Sequence, residues 1–94
     1  MKKFKVGQTI NLPTAFRGKY KRVHYPESEQ DQVEVFKFDI IGKNDSYSEY
    51  LILLDPDMLG YSISEFHILH SEVDEKHKGG KFWYVSEYTL NQYN

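Results

Sequence analysis

Residue types that bind metals crowd into one stretch of the chain: His67-Ile68-Leu69-His70, followed by Asp74, Glu75 and His77. On a helix, a spacing of three would set the imidazoles of His67 and His70 on one face, where a carboxylate or His77 would complete a tetrahedral site. The spacing matches no established ligand pattern, and the chain has no cysteine to supply thiolates. The expectation is therefore histidines solvated beside a charged loop, with no metal. A nucleophilic centre would need a serine beside a histidine held by a third group. Ser62, Ser64 and Ser71 neighbour His67 and His70 in sequence, but in positions where hydroxyls cap helices and close turns. Asp55 and Asp57 flank a proline and read as turn residues. Lys78-Gly79-Gly80-Lys81 lacks the strand-to-helix setting of a phosphate-binding loop. No catalytic residue and no cofactor are assigned, and the chain is not expected to be an enzyme.

The aromatic content carries a stronger signal. Aromatic residues make up 16% of the chain, with eight tyrosines and a single tryptophan. A domain of 94 residues has one thin core. After Phe36, Phe38, Leu51, Leu53 and Phe82 are buried, some rings must remain outside. Tyrosine and tryptophan concentrate at contact hot spots, so the leading expectation is a protein-binding surface. Its residues would be Tyr61 and Trp83, with an acidic face formed by Glu65, Glu72, Asp74 and Glu75. The alternative is a nucleic-acid interface in which Tyr20 and Tyr84 stack on bases while Arg17, Lys19, Lys21 and Arg22 follow phosphates. A third reading leaves the tyrosines half-buried with their hydroxyls in water.

Charge is distributed unevenly. Residues 1–24 hold seven basic side chains and no acid, whereas all fourteen carboxylates lie beyond them. This asymmetry either docks the first quarter of the chain on the remainder or offers a basic arm to an acidic partner. A pI near 6.0 and the carboxylates weigh against a polyanionic ligand.

The elements that must position these residues are strands. Val33 to Ile41 and Tyr47 to Leu54 are β-branched and aromatic runs joined by Gly42-Lys43-Asn44-Asp45-Ser46, which predicts a hairpin. The run closing at Leu54 is too continuous for a strand with one wet face, and belongs at the centre of a sheet. Along Val33 to Ile41 the parity changes, so either both faces are covered or a bulge near Val35-Phe36 re-phases the strand. Phe4 to Leu12 alternates, with Gly7 at a turn, and a short strand is expected around Tyr20 to Val23. Another strand runs through Ile63 and leads into a turn or short helix. Ser71 to Gly80 is predicted to be a loop feeding a strand at Lys81 to Val85. Ser86 to Leu90 reads as one 3₁₀ turn with a short closing strand after it, and Asn91 to Asn94 as a fraying end.

These pieces define an all-β class, a single domain over residues 1–94 with about five antiparallel strands and at most one short helix or 3₁₀ turn. The order resembles that of the small, mostly uncharacterised SH3-like barrels encoded by bacteriophages and other mobile elements of bacteria. The resemblance is carried by Lys5-Val6-Gly7-Gln8, the mid-chain hairpin, Gly60-Tyr61-Ser62-Ile63-Ser64-Glu65 and Phe82-Trp83-Tyr84-Val85-Ser86-Glu87. It implies an SH3-like barrel and a host-directed regulator or inhibitor, and it transfers no site. The absence of cysteine, of an apolar stretch after Met1-Lys2-Lys3 and of any membrane-length apolar run leads to the expectation of a cytoplasmic protein.

Overall fold

The computed structural model describes residues 1–13, 22–24, 34–55, 58–63, 72–77 and 79–94, and for residues 22–24 and Glu34 the backbone alone. Its organising element is β3 (Glu34–Asn44), an eleven-residue strand with antiparallel neighbours on both edges over each of its halves. In the first half, β1 (Thr9–Leu12) pairs Leu12 with Phe36, and β2 (Arg22–His24) pairs Arg22 with the same Phe36. In the second half, β4 (Glu49–Leu54) pairs Leu51 with Gly42, and β6 (Glu72–Val73) pairs Val73 with Gly42. The register with β4 jumps between Ile40 and Gly42, leaving Ile41 as an extra residue. Such a bulge bends and twists the strand. The register runs unshifted past Val35 and Phe36, both buried, so the parity change there reflects cover on both faces, and the bulge lies instead at Ile41.

β7 (Lys81–Ser86) lies beside β4, and β5 (Tyr61–Ser62) lies beside β7. The path β1-β3-β4-β7-β5 ends at β1 and β5. Among the described residues these two ends do not pair, so the seven strands form an open sheet. Among the described residues the protein is all-β with one short helix.

Both faces of this sheet are covered, as the apolar run in β4 requires. Tyr50, Ile52 and Leu54 join Ile10, Phe36, Phe38 and Val85 in one cluster, closed by Phe4 and by Leu90 of the helix. On the opposite face Leu51 packs with Ile41, Ile63 and Phe82, and Leu53, Val73 and Tyr84 border them. The period-2 alternation of a strand makes this division automatic.

Four local expectations are corrected. β3 continues through Asn44, and the hairpin turn is Asp45 to Ser48, with Ser48 at φ +50° and the Asn44 carboxamide accepting from the Ser46 amide. The expected loop at Ser71 to Gly80 contains β6 and a 3₁₀ turn at Glu75–His77. Ser86 to Leu90 is no isolated 3₁₀ turn followed by a strand. Ser86 is the N-cap of α1 (Glu87–Tyr93), its hydroxyl accepting from the Thr89 amide at 3.1 Å. Finally, the C-terminal end is tied down. The Asn91 carboxamide accepts from the Lys2 amide and donates to the Lys2 carbonyl, both at 2.9 Å. Asn94 makes the same pair of bonds with Asn11 at 2.7 and 2.9 Å. Among the described residues no helix is long and apolar enough to cross a membrane.

Candidate protein-binding surface

Of the exposed rings, Tyr61 and Trp83 stand at the sheet edge formed by β5 and β7, whereas Tyr47 and Tyr88 lie apart, in the hairpin turn and on α1. Tyr61 stands opposite Phe82 across the ladder, so both side chains share a face. Their ring centroids are 6.0 Å apart, and Tyr84 completes a trio at 5.9 Å from Tyr61 and 5.0 Å, edge-on, from Phe82. Phe82 is fully buried and anchors the group, whereas Tyr61 is 59% exposed. Trp83 has the parity of Val85 and emerges on the other side of the strand, 36% exposed.

The approach of residues 58–60 to β7 depends on two local features. Gly60 has no side chain, and a Cβ there would lie 2.6 Å from Leu54 Cδ1 and 3.1 Å from the Phe82 carbonyl oxygen. Lys81 donates from Nζ to the Met58 carbonyl at 3.0 Å. Together they seat Leu59, 82% exposed, next to the strand. Leu59, Gly60, Tyr61 and Trp83 then line one shallow depression of about 310 Å³. A second depression, of about 290 Å³, opens on the other side of Trp83, between β7, α1 and the end of β1.

The described acidic residues foreseen as part of the same surface lie on β6 and on the turn that follows it. Glu72 is in β6, 3.4 Å from Lys43 Nζ. Asp74 precedes the 3₁₀ turn, accepts from the Lys76 amide and lies 3.7 Å from Lys76 Nζ. Glu75 is exposed within that turn. β6 flanks β3, and β5 lies beyond β4 and β7, but Val73 packs against the cluster that holds Ile63, and His77 lines one depression with Ser62. Glu65 is outside the described residues, as are Arg17, Lys19, Tyr20 and Lys21 of the nucleic-acid alternative. Arg22 is described only as backbone in β2, and Tyr84 is packed into the ring trio.

Of the histidine and carboxylate stretch, His67 and His70 fall outside the described residues. The Nδ1 atom of His77 is buried without a hydrogen-bond partner, 3.7 Å from Asp74 Oδ2. Among the described residues no three histidine or carboxylate side chains gather as a metal site would require.

Sequence reasoning missed a buried polar network beneath α1. Glu87, only 6% exposed, accepts from the Tyr50 hydroxyl at 3.0 Å and lies 3.4 Å from Lys3 Nζ. The Tyr50 hydroxyl in turn accepts from the Phe4 amide at 3.0 Å. Burial, then the hydrogen bond and charge of Glu87, raise the Tyr50 phenol above its usual range, against lowering by the Phe4 amide and Lys3. The network fastens the N-terminal segment to the sheet and helix. No local pattern announces it, because its members are separated by tens of residues.

Fold and surface together define an all-β domain that displays an aromatic and aliphatic edge. Compared with protein-family models, with curated proteins and with solved structures, the chain matches none.

Proposed function

We propose that this chain is a non-enzymatic binding module that captures another protein at the β5–β7 edge. The observation that carries the reading is the shared depression of three large side chains at least partly displayed to solvent: Leu59 on the segment fastened to β7, Tyr61 of β5 and Trp83 of β7. A contiguous apolar patch with an aromatic at its centre is the usual form of a hot spot, and its fixed geometry lowers the entropy lost on binding. The partner is a protein that inserts an aliphatic or aromatic side chain between Tyr61 and Trp83. Glu65, Glu72, Asp74 and Glu75 would act at longer range by steering a basic partner toward the molecule. An SH3-like origin, a cytoplasmic location and a role as a phage-type, host-directed regulator extend this reading through the sequence resemblance.

Nucleic-acid binding by the basic first quarter is the second reading. Against it, Lys3 of that quarter is already engaged within the molecule by its ion pair with Glu87.

Affinity capture from a bacterial lysate tests the proposal when the wild type is compared with Leu59→Ser and Tyr61→Ser. The expected result is one retained protein whose affinity falls at least about tenfold in each variant, with an unchanged melting temperature. Equal retention by all three forms overturns it.

A further inference from the structure

We propose that the partner protein is captured as an extended strand added to the outer edge of β5. This rests on the reading of the β5–β7 edge as a protein-binding surface, and it specifies the form in which the partner enters. Alternation along the ladder decides which backbone groups point outward. The Ile63 amide donates to the Gly80 carbonyl at 3.2 Å, and Tyr61 stands opposite Phe82. In an antiparallel pair, residues two apart play the same hydrogen-bonding role, so Tyr61 and Ile63 both turn their amides toward β7. Ser62, between them, turns its amide and its carbonyl to the opposite side. Among the described residues β7 is the one strand beside β5, which ends the strand order. Leu59, Gly60, Tyr61 and Ser62 form an unbroken exposed run, and none of them carries a charge.

An outward amide and carbonyl on one residue define what completes them. A residue of a second strand placed opposite Ser62 exchanges two hydrogen bonds with it, as the hydrogen-bonded pairs of an antiparallel ladder do. The partner's next residue then falls opposite Tyr61, with its side chain on the face of Tyr61, Phe82 and Tyr84. A β-branched or aromatic side chain there covers the exposed ring. The residue opposite Ser62 projects to the other face, on the side of Lys81 and Trp83. A helix docked on the same rings would instead cover the Ser62 groups without pairing them. A second copy of this chain would need far more contact than the edge offers, since a stable interface takes roughly 20–30 residues a side.

Amide hydrogen exchange reads the edge directly. In the free protein the Ser62 amide is expected to exchange at least about tenfold faster than that of Ile63, which is bonded to Gly80. Short linear peptides are then selected from a displayed random library on the immobilised chain. Those retained should carry β-branched or aromatic residues at alternate positions and should slow exchange at Ser62. Ser62→Pro removes the outward amide and keeps the ladder to β7, which does not use it. It should weaken peptide binding at least about tenfold, whereas Ser62→Ala should bind as the wild type does. The exchange measurement on the wild type decides the matter should Ser62→Pro fail to fold.

Protection of Ser62 in the free chain overturns the proposal, because the edge is then already covered. So does the selection of no peptide, or a dimer in solution that Ser62→Pro separates. Peptides lost with Tyr61→Ser but bound equally by Ser62→Pro, with Ser62 exchange unchanged, would remove the added strand and leave the aromatic edge as a binding surface. Peptides indifferent to both Leu59→Ser and Tyr61→Ser would remove the two readings together.

Discussion

The hydroxyl of Tyr50 joins three parts of the chain that are distant in sequence. It accepts from the Phe4 amide and donates to Glu87 at the start of α1. Removing it leaves a buried amide without an acceptor and a buried carboxylate with one donor fewer. Tyr50→Phe is therefore expected to cost about 1–3 kcal/mol at neutral pH, measured by denaturant unfolding. The sign of its pH dependence follows from the raised phenol. The unfolded chain ionises this tyrosine near pH 10, while the folded chain retains the proton to higher pH. The advantage of the wild type over the Tyr50→Phe variant is thus complete below about pH 10 and shrinks as the pH climbs through the raised value. A gap between the two proteins that stays constant from about pH 8 to 11 would contradict this account. Lys3 contributes less than its ion pair suggests, because its side chain is 79% exposed and screened by water.

At the scale of elements, the close approach of β6 to β3 depends on one glycine. A Cβ on Gly42 would lie 2.6 Å from the Glu72 carbonyl oxygen and 3.2 Å from Val73 Cγ2. The first of these is backbone, so β6 itself would have to move. Gly42→Ala is expected to lower stability by about 1–3 kcal/mol and to speed hydrogen exchange of the Asp74 amide, which bonds to the Ile41 carbonyl at 2.7 Å. Unchanged exchange at Asp74 would show that β6 is held by something else.

The same scale shows what was legible beforehand. The unbroken run in β4 announced a strand covered on both faces, and the aromatic and β-branched run at Lys81 to Val85 announced β7. The helix was not legible, because Tyr88, Thr89 and Asn91 are indifferent helix formers. It is stabilised by a cap at Ser86, the burial of Leu90 and the carboxamide ties of Asn91 and Asn94 to the N-terminal segment. Apart from the cap, those are tertiary causes. That some rings stay outside was legible because ring surplus is a matter of composition, whereas exposed Leu59 follows from the fastening of residues 58–60 to β7, which no local pattern encodes.

At the scale of the molecule, the two apolar clusters are not separate cores. β3, β4 and β7 each contribute to both, Ile40 and Ile41 on one strand and Ile52 and Leu51 on the next. The ladder that carries one cluster is the ladder that carries the other. Loss of either face should therefore unfold the whole sheet. Ile52→Val in the first cluster and Ile41→Val in the second are each expected to cost about 0.5–1.5 kcal/mol. In both variants the transitions seen by Trp83 fluorescence and by far-ultraviolet circular dichroism should coincide, as cooperative unfolding requires. If Ile41→Val moved the tryptophan transition alone, the β5–β7 edge would be a unit that opens independently of β1 and β3. The rigid presentation of Tyr61 and Trp83, on which recognition by this edge depends, would then be lost well below the global transition.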